Sequence, residues 1–251
     1  MHRYFIHMAF DGRNYHGWQV QPNSLTVQEV LQHALSTLLR SEIQVTGAGR
    51  TDTGVHAASF YAHFDLEDDL EGEVEIPADQ LVFKLNRFLP EDIVIFSIRE
   101  VDSALHARFS ATSRTYHYHI SRRKPLFRRN YCHYLYGELD LEAIHDCCMI
   151  LLEHEDFTSF SKLHTDVKTN HCDVVRAHWT EVAEGYRFEI TADRFLRNMV
   201  RSIVGTMLDV GQGKISSSDF EAILEARDRS RAGQSAPAEG LFLVDVSYPG
   251  L

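Results

Sequence analysis

A pattern of strand, helix and strand occurs twice along this chain, and it restricts the fold more than any other feature. In the first half, a strand that ends at Asp11-Gly12 precedes a helix and further strands, and the pattern begins again near Asp102. Hairpins as well as crossover connections join these elements, which favours an α+β fold with a largely antiparallel sheet over a doubly wound parallel sheet. We therefore predict two α+β subdomains with flanking helices, residues 1–103 and residues 104–251.

Hydrophobic periodicity and capping signals place the individual elements. The helix after Thr26 is the clearest of them, because Thr26 and Glu29 have the spacing of a capping box and apolar residues follow at helical spacing through Leu39. Strand patterns cover residues 3–10, 43–46, 59–64, 93–101, 114–120, 174–181 and 186–191. Helix patterns cover residues 79–88, 141–152, 195–210 and 218–226.

Charge limits the classes of function. The formal net charge is -11 for 251 residues, which taken alone argues against a nucleic-acid partner and favours a small-molecule enzyme. The acidity is uneven, because residues 65–79 hold many carboxylates and no Lys or Arg, as expected of a solvated loop. Five cations cluster around Pro125, at Arg122, Arg123, Lys124, Arg128 and Arg129. A local basic surface can therefore exist despite the total charge.

Neither a membrane nor an oxidising compartment is indicated. No run approaches ~18 apolar residues, and the N-terminal residues lead directly into a strand pattern without a signal-peptide core. We therefore expect a cytoplasmic protein with no membrane partner. The four cysteines, Cys132, Cys147, Cys148 and Cys172, include no Cys-x-x-Cys pair and are expected to be reduced and mostly buried.

Motifs for common cofactors do not occur in the sequence. No Gly-x-Gly-x-x-Gly follows a strand, and residues 211–214 follow a helix pattern without the spacing of a phosphate-binding loop, so ATP and NAD are not indicated. His117 and His119 share a strand face, but no acidic residue with ligand spacing accompanies them, so no metal site is predicted. The Gly-x-Ser-x-Gly motif of serine hydrolases does not occur either.

A glycine-rich stretch at residues 47–57 is poor core material and carries charge. Arg50 and Asp52 stand two residues apart within it, directly after a strand pattern. Its glycines allow unusual backbone angles and a close approach to a ligand. A lone aspartate in such a turn is most often a turn residue, so its function depends on the rest of the chain.

Arginines and tyrosines in the second half add to this stretch. Arg194, Arg197 and Arg201 fall on one face of the helix pattern that starts at residue 195, if the pattern is extended back by one residue. This face is either a solvated surface or the border of a cleft that holds phosphate or carboxylate groups. Tyr116 and Tyr118 alternate along one strand face. They are half-buried strand aromatics by default, but such a face can also stack on an RNA base.

Together these motifs resemble the TruA family of tRNA pseudouridine synthases. They occur in the order of the family and span nearly the whole chain: Phe10-Asp11-Gly12, Gly17-Trp18-Gln19, Ala48 to Ala57, His106 to Thr112, Asp156 to Phe160, Asn198 to Arg201, Ile203 to Gly205, and Glu239-Gly240-Leu241. The resemblance implies two related α+β halves around a catalytic cleft, in a homodimer. It also implies that the acidic chain nevertheless binds tRNA.

The resemblance further implies the reaction and its residues. The expected activity is isomerisation of uridine to pseudouridine at positions 38, 39 and 40 in the anticodon stem-loop of tRNA, without a cofactor. Asp52 matches the catalytic aspartate and Arg201 its basic partner. Tyr116 matches the tyrosine that contacts the substrate, and Arg50 an arginine that helps to hold the target uridine out of its stack. Arg197 is a further candidate for substrate binding.

The chemistry suits these residue types. The reaction breaks the bond from N1 to C1′, turns the bound base and forms a bond from C5 to C1′. An ionised carboxylate can attack C1′ or remove the C2′ proton, and the sequence leaves both routes open. Two alternatives remain, a pseudouridine synthase for a different RNA and a catalytically idle RNA-binding dimer. Intact Arg50, Asp52 and Arg201 favour the enzyme.

Overall fold

The computed structural model describes residues 2–67, 77–162 and 169–250. Within these residues the strands are β1 (His2–Phe10), β2 (Thr46–Gly47), β3 (His56–Leu66), β4 (Ile93–Val101), β5 (Ser113–Ser121), β6 (His133–Tyr134), β7 (Val174–Val182), β8 (Gly185–Ala192) and β9 (Leu241–Ser247). The α-helices are α1 (Val27–Leu39), α2 (Ala78–Phe88), α3 (Leu141–Glu153), α4 (Met199–Gly211) and α5 (Ser217–Glu225). Most strand pairs are antiparallel, so the predicted α+β class is confirmed.

The chain divides into two compact units. The first joins Met1–Thr112 to Leu243–Leu251, and the second is Ser113–Phe242. The structure therefore moves the boundary predicted at residue 103 to residue 112, and the chain returns to the first unit after Phe242. Sequence periodicity does not register this return, because it depends on contacts between residues that are far apart in the chain.

In the first unit the strands are ordered β4-β1-β3-β9, and the short β2 pairs with β3. β1 is antiparallel to both of its neighbours, with Ile6 opposite Ala62 on β3 and Ile98 on β4. α1 packs against α2, which packs against β4. Thr26 caps α1 as predicted, since its hydroxyl oxygen accepts a hydrogen bond from the backbone N–H of Glu29 at 3.4 Å.

The strand predicted at residues 43–46 is largely absent from the structure, because β2 is only Thr46–Gly47. Side chains of α1 take the place of a neighbouring strand. The N–H of Ile43 donates to Oγ of Ser36 at 2.9 Å, and the N–H of Val45 donates to Oε1 of Gln32 at 3.2 Å. The apolar side chains of this segment are buried, so it contributes to the core without regular strand pairing.

In the second unit the strands are ordered β5-β8-β7, and β6 runs parallel to β5. β7 and β8 form the predicted hairpin, in which the buried rings of Trp179 and Phe188 stack with centroids 5.2 Å apart. α3 packs against β7, α4 and α5. α4 is the central helix, since every residue from Ser202 to Leu208 is buried. Burial of large apolar side chains stabilises the unit by about 1.5–3 kcal/mol each.

Three further predictions concern composition. All four cysteines are buried and unpaired, and burial raises the pKa of Cys147 and Cys148 to about 12. Residues 68–76 of the acidic stretch lie outside the described residues. Asp65 at its start belongs to β3, where Nε of Arg3 donates to its carboxylate at 2.7 Å, so this position is not a loop. Among the helices of the described residues, none has the length and apolar character needed to cross a membrane.

Candidate active site

Asp52 lies in a tight turn that leads into β3. Its carbonyl oxygen accepts a hydrogen bond from the N–H of Val55 at 3.1 Å, and Gly54 completes the turn with φ of +78°. At the other end of the loop, the N–H of Ala48 donates to the carbonyl of Tyr61 on β3 at 2.7 Å. The loop is therefore fixed to β3 at both ends, and the Asp52 side chain is half-buried.

A second segment, residues 11–18, packs against the back of this loop. A Cβ added at Gly17, whose φ is +86°, would overlap the carbonyl oxygen of Thr51, and a Cβ at Gly12 would overlap the carbonyl oxygen of Val55. Only glycine permits approaches this close. The backbone is therefore held on both sides of the aspartate. Both glycines belong to the family motifs in the sequence, but the motifs do not predict their contacts with this loop.

Buried polar groups fix the 11–18 segment in turn. Nδ1 of His56 accepts a hydrogen bond from the N–H of Gly12 at 3.2 Å and lies 3.1 Å from a carboxylate oxygen of Asp11. The Tyr15 hydroxyl donates to Asp92, and burial together with this bond raises the pKa of Tyr15. These contacts tie the turn that carries the aspartate to the connection before β4.

The two residues before Asp52 differ in exposure. Arg50 is exposed in the same loop. Oγ1 of Thr51 is buried and, within the part of the chain that the structure describes, has no hydrogen-bond partner. Buried hydroxyls are rarely left without a partner. Thr51 therefore offers a hydrogen-bonding group directly beside Asp52.

In the second unit, Tyr116 lies on β5 opposite Ile190 of β8. Its half-buried ring meets Phe195 edge to face, with centroids 5.1 Å apart. Tyr118 on the same face is fully buried and donates its hydroxyl hydrogen to the carbonyl of Pro237 at 2.8 Å. The predicted alternation of β5 is confirmed, and Tyr116 is the more accessible of the two tyrosines.

Arg201 lies in the first turn of α4 and is clamped by the segment that precedes β9. Its Nε donates to the carbonyl of Ala236 at 2.7 Å, and the N–H of Ala236 donates to the carbonyl of Arg201 at 2.8 Å. Burial raises the pKa of Tyr118, and the positive charge of Arg201 acts in the opposite direction. The guanidinium therefore lies near the strand face that also carries Tyr116.

The predicted arginine face is wrong, because α4 begins later than its periodicity suggests. Asn198 has φ of +64°, in the left-handed region, and its side chain donates to Oγ of Ser235 at 2.6 Å. A left-handed residue interrupts a helix, so Arg194 and Arg197 precede α4 instead of sharing a face with Arg201. Arg197 is exposed and Arg194 is half-buried.

The histidines of β5 take part in contacts between strands. Nε2 of His117 lies 3.0 Å from a carboxylate oxygen of Glu189, which also pairs with Arg176. Burial lowers the pKa of His117, and burial with neighbouring positive charges lowers the pKa of His119 to about 4. Both rings are therefore neutral near pH 7.

Among the residues that the structure describes, one group of side chains has the spacing of metal ligands. Ligand atoms of His154, Glu221 and Glu225 lie within 4.8 Å of one another, at the C-terminal end of α3 and on α5. Exposed acidic groups of this kind are common without an ion. The group is separate from the residues that the sequence assigns to catalysis.

Comparisons with known proteins define the class. A family model described as tRNA pseudouridine synthase matches residues 6–110 and 151–249. The tRNA pseudouridine synthase A of Bacteroides thetaiotaomicron is 54% identical over 253 residues, which cover 99% of this chain and 91% of that protein. The Bacillus subtilis protein of the same name is 40% identical over 245 residues, covering 96% and 97%. The chain therefore belongs to the tRNA pseudouridine synthase family, a family of isomerases.

The CRISPR endoribonuclease Cse3 bound to a 19-nucleotide RNA aligns over 94% of this chain and 100% of that chain, with a TM-score of 0.24 and 12% identity. A score this low carries no argument about fold or function.

Proposed function

We propose that this protein converts uridine to pseudouridine at positions 38, 39 and 40 in the anticodon stem-loop of tRNA, with Asp52 as the acting carboxylate and without a cofactor. Family membership supports the class of reaction. The observation that carries the role of Asp52 is its placement in a half-buried turn whose backbone is held by glycine contacts on both sides. A fixed carboxylate is suited to a reaction at a single ribose carbon.

The other candidate residues have separate roles in this proposal. Arg201 acts in this proposal as the basic partner of the catalytic aspartate, as the family resemblance implies. Arg50 and Tyr116 hold the uridine after it leaves its stack, which costs a few kcal/mol. Exposed Arg197 contacts a phosphate.

Tritium release tests the proposal most directly. An unmodified tRNA transcript labelled at C5 of uridine loses tritium to water only when C5 becomes bonded to C1′. We expect release with the wild-type protein and none above about a thousandth of that rate with Asp52→Asn, while both bind tRNA equally. Asp79→Asn is the matched control, because this exposed carboxylate lies on α2 and the change removes the same charge.

The outcomes separate the alternatives. Release that is equally slow with Asp79→Asn would show that lost charge, and not the position of Asp52, limits the reaction. No release from wild type, with tRNA still bound, would support the idle RNA-binding dimer. Release from a different RNA but not from tRNA would support a synthase with another substrate. Mapping of the product by position tests the assignment to 38, 39 and 40.

An isotope experiment distinguishes the two routes open to Asp52. Removal of the C2′ proton breaks a C–H bond, so deuterium at C2′ would slow single-turnover release by a primary isotope effect. Attack on C1′ breaks no bond at C2′ and leaves the rate nearly unchanged.

We further propose that the protein acts as a cytoplasmic homodimer, as the family resemblance implies. Sedimentation equilibrium tests the dimer.

A further inference from the structure

The connection between β5 and β6 is anchored by hydrogen bonds, and we call its residues 122–129 the basic arm. Its first residues are fixed because the N–H of Arg122 donates to the carbonyl of Glu184 at 2.9 Å and the Ser121 hydroxyl donates to the carbonyl of Arg123 at 2.6 Å. Its last residues are fixed because the carbonyl of Arg128 accepts from the N–H of Tyr131 at 2.9 Å. The arm is therefore held at both ends.

The tip of the arm exposes apolar side chains. Two backbone bonds shape it, from the N–H of Leu126 to the carbonyl of Lys124 at 3.1 Å and from the N–H of Arg128 to the carbonyl of Pro125 at 3.2 Å. Leu126 is 67% exposed and Phe127 is 91% exposed, the latter being the most exposed large apolar side chain of the described residues. A ring this exposed packs against little of the chain that the structure describes, so it is available to a ligand.

The arm carries five positive charges and no negative charge. Arg122 is used within the second unit, since it pairs with Glu181 at 3.0 Å and lies over the ring of Tyr186 at 5.3 Å. Arg128 lies 3.9 Å from Glu184, and both side chains are more than half exposed, so this pair contributes little. The remaining three cations are in no ion pair with any residue that the structure describes: Arg123, Lys124 and Arg129.

An exposed aromatic ring among unpaired cations has the chemistry of a site for RNA. Cations neutralise phosphates and release counterions, and an aromatic ring stacks on any base. We infer that the basic arm binds tRNA outside the reacting nucleotide, with phosphates on Arg123, Lys124 and Arg129 and an unpaired base on Phe127. This inference rests on the proposed function, and it explains how a chain of net charge -11 holds a polyanion.

The arrangement of β5 supports this role. Tyr116 lies on β5, and the arm begins directly after this strand. Tyr116 and Arg122 are six residues apart, which corresponds to ~20 Å along a strand. An RNA longer than this distance can therefore contact Tyr116 and the arm at the same time. A second copy of this chain is a poorer occupant, because two arms in contact would bring their uncompensated cations together.

Salt dependence of binding tests the cations. The triple change Arg123→Gln, Lys124→Gln and Arg129→Gln is compared with Arg40→Gln, Lys84→Gln and Arg87→Gln, which removes the same charge from the surface of α1 and α2 in the other unit. We expect the arm variant to weaken binding of unmodified tRNA and to reduce the slope of log Kd against log salt by about 2–3. The control variant should keep the wild-type slope.

Fluorescence tests the aromatic contact independently. In Phe127→Trp, binding of tRNA should quench the new tryptophan because a base stacks on it, whereas the exposed Phe83→Trp on α2 should respond no more than wild type. Phe127→Ala should weaken binding by about 10-fold. These exposed substitutions leave the core intact, so unfolding does not confuse the result.

The two proposals fail in different ways. If wild type binds and modifies tRNA but both triple variants weaken binding equally, or Phe127→Trp is not quenched, the arm inference is overturned and the proposed function stands. If the arm variant changes the sedimentation coefficient of the free protein and not its affinity for tRNA, the arm is a contact between copies and the inference is again overturned. If wild type does not bind tRNA, both proposals fail.

Discussion

Arg201 and Ala236 are joined by two hydrogen bonds, one from the Arg201 Nε to the Ala236 carbonyl at 2.7 Å and one from the Ala236 N–H to the Arg201 carbonyl at 2.8 Å. The side chain and the main chain of the arginine therefore hold the same residue. This clamp limits the rotation of the guanidinium group. Its side-chain bond comes from Nε, and lysine has no donor at that position along its side chain.

Arg201→Lys is therefore predicted to impair catalysis although the positive charge is kept. We expect kcat/KM to fall by about 100-fold, the effect of losing one fixed charged donor in an active site. Single-turnover tritium release measures the change. Arg197→Lys is the matched control, since exposed Arg197 precedes α4, and it should lower kcat/KM by only a few-fold. Equal effects of the two substitutions would contradict a specific role for the clamp.

Gly17→Ala is predicted to lower both stability and activity, because the added Cβ overlaps the carbonyl oxygen of Thr51. Gly137→Ala is the control: Gly137 also has positive φ, +98°, but an added Cβ would meet nothing within 4 Å. We expect the control to lose about 1 kcal/mol of unfolding free energy through backbone strain alone. Gly17→Ala should lose about 1–3 kcal/mol more.

Activity separates the two glycine variants further. Displacement of the turn by about 1 Å should reduce the turnover of folded Gly17→Ala by about 100-fold, whereas Gly137→Ala should keep wild-type turnover. Urea unfolding and tritium release measure the two effects. Full activity of folded Gly17→Ala would show that the position of the turn does not limit catalysis.

Substitutions of Tyr116 distinguish its ring from its hydroxyl group. The ring meets Phe195 edge to face and is half-buried, so Tyr116→Phe should keep the packing and the stacking surface. We expect KM for tRNA to stay near wild type in Tyr116→Phe and to rise about 10-fold in Tyr116→Ala. Steady-state kinetics on the anticodon stem-loop measure this. A large loss in Tyr116→Phe would instead assign a direct role to the hydroxyl.

The stability of the first unit should depend on pH through His63. This residue is 5% exposed, and burial, with the positive charges of Arg3 and His106, lowers its pKa to about 4. The unfolded chain binds a proton at this histidine near pH 6.5, whereas the folded chain does so only near pH 4. Between these values the unfolded state holds the extra proton, so stability falls as pH decreases.

His63→Asn removes this titration and retains an acceptor for the N–H of Ala107, which donates to His63 Nδ1 at 3.1 Å. We expect wild type to lose about 2 kcal/mol more unfolding free energy than the variant when the pH is lowered from 7 to 5. Urea unfolding at the two pH values measures the difference. Other titrating groups, including His119, are present in both proteins and cancel. Equal losses would contradict the low pKa.

Local patterns were sufficient for most elements of this fold. The capping signal at Thr26 and the alternation through Tyr116 and Tyr118 depend on neighbours in sequence, and the structure confirms both. The late start of α4 was missed, because the left-handed conformation of Asn198 depends on its contact with Ser235 in a distant segment. An apolar pattern that continues through residues 195–198 gives no sign of this contact.

The candidate site shows the same division. Motifs indicated Asp52, Arg50 and Arg201 as candidate residues. A motif identifies residue types, but it does not show which contacts hold these residues in place. The overlap that excludes a side chain at Gly17 is a contact between segments, and no local rule predicts it. The segment at Ile43 was predicted as a strand, but its hydrogen bonds go to side chains of α1. No local rule predicts these bonds either, because they also join separate segments.

The return of residues 243–251 to the first unit has a consequence for synthesis on the ribosome. Tyr248 donates its hydroxyl hydrogen to the carbonyl of Ala107 at 2.6 Å, and its ring meets those of Phe5 and Tyr61. Domains usually fold in order as they emerge. Here the first unit stays incomplete while all of Ser113–Phe242 is translated, because it also needs the residues that follow Phe242. The first unit is therefore completed only after the second unit has been synthesised.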